Sequence, residues 1–311
     1  MNCLLCDSKN VLLKETYLIE DLKSIWYFID ISEELKIDKL HLYQCSNCQL
    51  NFFDTRLAGG DKFYSELSNM DWYYNHDGKT EYDFVQKYIK NADKVLDVGA
   101  GIGILSTKIN AQVDYTGLEL SSKAVELAIN AGINVRQEDL KIHAQNNKEE
   151  YDVVCLFQVL EHLTELDNFL KSIHLTLKSK GYFVIAVPNN DGFISQSPNY
   201  TFNLPPHHTI LWKEYTLRYL AQKYNFEVIS VEKELLQDVH RDYAYGSFFI
   251  YNIKRVFFLP TKLIDKSMSH KFISKIVSIL FRIKLLNRVL TSYARKRQKY
   301  GQSILVTLQK K

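Results

Sequence analysis

The chain has 311 residues, 46% of them hydrophobic, which suffices for one large domain with appendages around a buried core. Its 39 Lys and Arg against 36 Asp and Glu leave a net charge of +3, too near neutral to name a partner by itself. No run of about 18 uncharged apolar residues occurs, and the first apolar stretch is broken by Cys6, Asp7, Lys9 and Asn10, so neither a membrane span nor a secretory leader is expected.

Five cysteines without a leader point to a reducing cytoplasm. Four of them fall in two matched pairs, Cys3-x-x-Cys6 and Cys45-x-x-Cys48. Each pair can aim two thiolates at one ion, and four thiolates complete the tetrahedral shell that zinc prefers. Such a shell leaves no open position, so the expected metal is structural. A redox dithiol would not need two matched pairs. Strand-like stretches from Val11 to Leu18 and from Lys39 to Gln44 predict a hairpin between the knuckles. Residues 1–58 are therefore read as a zinc-knuckle module, and residues 59–92, rich in aromatics around Tyr64, Tyr73 and Tyr74, as a helical lid or linker. The fifth cysteine, Cys155, reads as an ordinary core residue of a strand.

The most specific stretch is Lys94-Val-Leu-Asp-Val-Gly-Ala-Gly-Ile-Gly-Ile-Leu. Val95, Leu96 and Val98 read as a buried parallel strand, and a helical pattern follows through Leu105 and Lys108. Glycines at a strand-to-helix turn permit positive φ and close approach of a ligand. The spacing Gly99-x-Gly101-x-Gly103 is not the dinucleotide fingerprint. Asp97, just before it, would repel a diphosphate and suits a ligand with a positive ammonium or sulfonium group.

Four more strands are predicted after it. Asp114 to Leu120 carries Glu119 at its carboxyl end, where an acid can accept both hydroxyls of a ribose. A helix capped by Ser121 and Ser122 follows, then strands from Ile133 to Leu140, from Tyr151 to Gln158, and from Gly181 to Pro188. The glycine turn, the order of these units and the segment Gln158-Val-Leu-Glu-His-Leu resemble the class I S-adenosylmethionine (SAM) dependent methyltransferases over about residues 80 to 235. The resemblance implies SAM held by Asp97, Gly99, Gly101, Gly103, Glu119 and Leu120, with Asp139 and the Leu140 N–H on the adenine and Gln158 lining the methionine pocket. It also implies that the segment at residues 59–92 closes over SAM, with Tyr64, Tyr73 or Tyr74 reaching its carboxylate. Some sugar-modifying methyltransferases carry a comparable N-terminal cysteine cluster.

Methyl transfer to a hydroxyl needs an aligned acceptor and a base of near-neutral pKa. Pro205-Pro206-His207-His208 follows the fifth core strand, at the carboxyl edge where ligands bind in such sheets. On the view that adjacent histidines cannot both point inward, His208 is the expected base and His207 structural. Glu161-His162 with His208 resembles in part the divalent-metal pattern Glu-x-x-Glu-His of small-RNA 3′-end methyltransferases. Here Gln158, a poor ligand, replaces the first carboxylate, so no catalytic metal is expected.

The last two strands, starting at Phe226 and Ser303, are separated by about 65 residues, too many for a bare loop. Residues 247–300 hold thirteen Lys and Arg and a single acid, Asp265. Polar residues at 271, 275, 278 and 282 share one helical face, and apolar residues fill the rest. A basic amphipathic helix of this kind suits an anionic membrane surface. Nucleic acid is not the expected partner, because the apolar faces exceed what a phosphate-tracking surface needs.

The expected fold is α/β: a seven-stranded, Rossmann-like doubly wound sheet with the last strand antiparallel, a small N-terminal zinc-ribbon module, and a helical insertion before the last strand. Its divisions are residues 1–58, 59–92, 93–246 (the SAM-binding core), 247–300 (the insertion) and 301–311 (the final strand). The expected activity is SN2 methyl transfer from SAM to a hydroxyl of a sugar, glycan or lipid-linked sugar. It would take place in the cytoplasm or at the inner face of the cell membrane. An RNA or small-metabolite methyltransferase, or a SAM-binding interaction protein without catalysis, are the alternatives.

Overall fold

The computed structural model describes residues 1–33, 35–54, 57–70 and 80–311. Tyr73 and Tyr74 lie outside the described residues. The chain opens with β1 (Val11–Leu18), β2 (Lys39–Cys45) and β3 (Asn51–Phe52), the first two forming the expected antiparallel hairpin. A parallel set follows: β4 (Lys94–Val98), β5 (Asp114–Glu119), β6 (Val135–Gln137), β7 (Tyr151–Phe157) and β8 (Leu177–Pro188). The short β9 (Ile210–Leu211) precedes β10 (Phe226–Leu235) and β11 (Tyr300–Lys310).

The large sheet runs β10-β11-β8-β7-β4-β5-β6, and β11 is antiparallel to both of its neighbours. This is the expected seven-stranded topology. Alternation of side chains sends Leu96, Val154 and Leu156 into one core and Val95, Val153 and Cys155 into the other, so these strands are apolar on both faces. Ser121 caps the helix Ser122–Asn130 by accepting from the Ala124 N–H.

Two local expectations differ. The strand expected over Ile133 to Leu140 is only three residues long, because Asp139 accepts the Lys141 N–H and starts a helix at Leu140. The strand expected from Gly181 begins four residues earlier, at Leu177, since the preceding helix stops at Thr176.

The N-terminal segment is joined to the core more closely than a separate module would be. β9 pairs with β3 and completes a four-stranded sheet, β1-β2-β3-β9. Leu5, Cys45, Cys48 and Phe52 share one continuous apolar cluster with Leu217 and Leu220 of the core helix Glu214–Lys223. That helix also binds the knuckles directly: Thr216 Oγ1 donates to the Cys48 carbonyl at 3.1 Å and Lys223 Nζ to the Leu5 carbonyl at 2.6 Å.

Three helices, Asp238–Val256, Met268–Arg282 and Lys284–Arg295, fill the connection between β10 and β11. The first begins nine residues before the boundary read from composition, because its amino-terminal half is not basic. Among the described residues, no helix is long and apolar enough to cross a membrane.

Candidate active site

After Val98 the backbone turns through Gly99, Gly101 and Gly103 at φ of +75°, +55° and +77°. A Cβ at Gly99 would lie 2.5 Å from Val159 Cγ2, and one at Gly103 2.6 Å from Ile133 Cγ2. Gly101 faces open space, where a ligand can meet the backbone closely. Its N–H donates to Glu119 Oε2 at 2.9 Å, while the N–H groups of Leu120 and Ser121 donate to Oε1 at 2.7 and 2.8 Å. Glu119 is thereby fixed against the glycine turn; Oε1 already accepts two N–H groups, and Oε2, which accepts one, keeps a further lone pair for a hydroxyl donor.

Asp97 is buried at the end of β4 and accepts from the Tyr115 hydroxyl at 3.0 Å. Leu120 stands exposed at the rim, and Leu140 is buried beneath Asp139. An open glycine turn, a fixed carboxylate with spare acceptor capacity and a second buried acid form a donor set that fits an adenosine-bearing, positively charged ligand. Gln158 takes another direction: its Nε2 donates to Ser303 Oγ on β11 at 3.3 Å, beyond β8 from the glycine turn.

The loop after β7 links this turn to a second cluster, since Val159 abuts Gly99 and Glu161 and His162 follow it. His162 Nδ1 lies 2.6 Å from the His207 carbonyl, to which it donates, and 3.0 Å from the Tyr64 hydroxyl. His207 Nδ1 donates to the Phe202 carbonyl at 3.0 Å. The rings of His207 and His208 stack at 4.3 Å, and both lie within 5 Å of the His162 ring. Adjacent histidines therefore do point the same way, against the sequence-based expectation. Residues 205–207 form a turn, and the alternation of a strand does not apply there.

Buried Glu161 lies between two imidazoles, its Oε1 3.9 Å from His208 Nε2 and 4.0 Å from His162 Nε2. His208 Nδ1 is buried with no hydrogen-bond partner among the described residues. Burial pushes the His162 pKa down to about 4. Burial, with His162 beside it, pushes His207 to about 3, and burial with both neighbours holds His208 well below its ordinary value. All three rings are thus neutral near pH 7. One ligand nitrogen from each lies within 4.8 Å of the others, so the structure adds His207 to the histidines that the sequence pattern weighed as metal ligands.

The N-terminal segment supports this loop. Trp26 Nε1 donates to the Pro205 carbonyl at 2.8 Å, and its ring packs edge-on against Phe63 and Phe202. The Thr209 N–H donates to the Glu161 carbonyl at 3.1 Å and ties the two loops together. Tyr64, one of the three tyrosines weighed for the SAM carboxylate, has its hydroxyl 3.0 Å from His162 Nδ1 and 3.4 Å from the His207 carbonyl.

At the far end of the module, Cys3 Sγ lies 3.4 Å from Cys48 Sγ, Cys6 Sγ lies 3.5 Å from Cys45 Sγ, and all four sulfurs fall within 4.8 Å of one another. Sulfurs this close fit the edges of a tetrahedral zinc–thiolate shell. The hydrogen bond from Cys48 holds the Cys3 thiol down to about 5, while that contact and burial push Cys48 up. The Asn47 N–H points at Cys45 Sγ at 3.4 Å. An N–H aimed at sulfur favours the thiolate a metal requires.

Sequence reasoning missed Tyr115, Trp26 and the place of Glu161 between two imidazoles. Each acts through a contact with a segment distant in the chain, and no local pattern marks it.

A family model described as a methyltransferase domain matches residues 73–231, just over half of the chain. Among curated proteins, the chain is 33% identical over 104 residues to a ubiquinone biosynthesis O-methyltransferase of Serratia proteamaculans, covering 31% of this chain and 43% of that protein. It is also 33% identical over 110 residues to the protein of the same name from Pelagibacter ubique, covering 33% and 45%. The chain thus spans less than half the length of these relatives. Among solved structures, a SAM-dependent methyltransferase from Archaeoglobus fulgidus superposes with a TM-score of 0.48 at 17% identity, covering 74% of this chain and 92% of that one.

Proposed function

The chain belongs to the methyltransferase-domain family, and on that premise we propose that it transfers a methyl group from SAM to a hydroxyl of a sugar, glycan or lipid-linked sugar. The names of the relatives, O-methyltransferases, support oxygen as the accepting atom. The sugar class rests on the likeness of the cysteine cluster to that of sugar-modifying methyltransferases.

SAM supplies an already activated methyl group, so the chain's own residues align the acceptor and take its proton. Glu119, Asp97 and the glycine turn would hold the cofactor, with Asp139 at the adenine end. His208 would accept the hydroxyl proton at Nδ1. Its Nε2 faces the buried Glu161 carboxylate, which favours the imidazolium as it forms. The observation that carries this reading is the buried, unpartnered Nδ1 of a neutral imidazole beside a buried carboxylate, on a loop tied to the one that touches Gly99. Four cysteine sulfurs within reach of one ion support a structural zinc.

Calorimetry tests the cofactor assignment first. The folded chain is expected to bind SAM in the micromolar range, and Glu119→Ala is expected to weaken binding about 10- to 100-fold, since hydrogen bonds to a charged group contribute about 1.5–3 kcal/mol each. A folded, zinc-loaded chain that binds no SAM would remove the enzyme reading and leave an interaction protein.

The pH dependence follows from burial of the histidines. A base must be neutral to act, and burial holds the His208 pKa well below 6.5. The acid limb of kcat/KM is therefore expected to fall below pH 6.5, with full activity retained at pH 6.5. A limb centred above pH 6.5 would exclude His208 as the base.

A further inference from the structure

We propose that the helices Met268–Arg282 and Lys284–Arg295, with the end of Asp238–Val256, form a docking surface for an anionic lipid bilayer. Each of the two shorter helices carries three stripes where a helix packed on a soluble domain has two. On the first, Ile273 and Val277 are buried against the domain. Met268, Phe272, Ile276, Ile279 and Ile283 recur at spacings of three and four residues, and all are exposed. Lys271, Lys275 and Arg282 form a cationic ribbon along one flank of that exposed apolar stripe.

The second helix repeats the plan. Ala294 is its one fully buried residue, while Leu285, Val289 and Tyr293 share an exposed face beside Lys284, Arg288 and Arg295. Leu285 and Val289 are thus turned to solvent, while Tyr293, half-exposed, also packs on Phe248 and Phe249 of the long helix. At the end of Asp238–Val256, Phe257 and Phe258 project beyond the helix, 68% and 95% exposed. Exposed apolar side chains in this number, on three helices that pack against one another, are the kind of surface that marks an interaction site.

Charge selects the occupant. The single acid of residues 247–300, Asp265, is buried and paired with buried Lys254, so the other twelve cations of the segment have no acid within it. Apolar stripes edged by cations suit acyl chains beneath negative headgroups. A second copy of this chain on the same face would set like-charged ribbons against each other. Single-stranded or duplex nucleic acid would meet the cations and leave the apolar stripes in water.

Flotation of the full chain with phosphatidylcholine vesicles, with and without phosphatidylglycerol, tests this directly and needs no acceptor. The wild type is expected to float with the anionic vesicles and to stay in solution with the neutral ones. Phe257→Ser combined with Phe258→Ser is expected to lower the floated fraction several-fold, with the melting temperature unchanged because both rings are outside the core. Lys271→Gln with Lys275→Gln is expected to lower it at low salt. A wild type that stays in solution with anionic vesicles would overturn the proposal. So would a dimer in solution that the Phe257→Ser, Phe258→Ser chain no longer forms, or RNA binding of steep salt dependence without vesicle binding.

Discussion

Replacing His208 by alanine is expected to lower kcat by about 10²- to 10⁴-fold, the usual contribution of a positioned general base. SAM affinity should be unchanged, because the glycine turn and Glu119 hold their contacts without this ring. The effect is expected in kcat, since proton removal belongs to the transition state and the bound acceptor gains little from it. Glu161→Gln keeps the shape of the loop and removes the charge that favours the imidazolium. It is expected to cost less than His208→Ala and to move the acid limb of kcat/KM to still lower pH. Radiolabelled SAM with a panel of free sugars, nucleotide sugars, oligosaccharides and phenols provides the acceptor and the rates. Full turnover of His208→Ala would end the assignment. Loss of wild-type activity on chelation, restored by Mg²⁺ or Mn²⁺, would instead give the three imidazoles to a divalent ion.

Loss of one knuckle thiolate should reach well beyond the knuckle. With the proposed zinc held by the four thiolates, Cys45→Ser is expected to lose the metal and lower the melting temperature by roughly 5–10 °C, the shift that a loss of a few kcal/mol produces in a domain of this size. Cys45 is fully buried and its cluster continues into the core helix Glu214–Lys223. Its strand, β2, leads through β3 to β9, and β9 follows His208 in the chain by a single residue. The N-terminal segment also carries Trp26, whose indole N–H holds the Pro205 carbonyl. A loosened segment should therefore lower kcat while SAM binding persists. Atomic spectroscopy for zinc, thermal melting and calorimetry on the same preparations separate these effects. Retention of one zinc per chain with an unchanged melting temperature would remove Cys45 from the ligand set.

What could be read from the chain by itself lay in contiguous stretches. The glycine turn occupies about ten residues in which strand, turn and helix follow one another, and its chemistry depends on local backbone freedom. Each cysteine pair is likewise a local turn, and the alternation of β and α units, together with the resemblance carried by the glycine turn, was enough to expect a doubly wound sheet. Tertiary structure decided the rest, because those contacts join residues far apart in the chain. Tyr115 meets Asp97 only through the parallel register of β4 and β5. His162 and the pair His207 and His208, about 45 residues apart, meet because two loops leave neighbouring strand ends, and a turn aims both histidines inward. Helical periodicity marked the amphipathic insertion, but periodicity assigns residues to faces without saying which face is covered. Packing against the domain covered one narrow side of those helices and left a second apolar side in solvent.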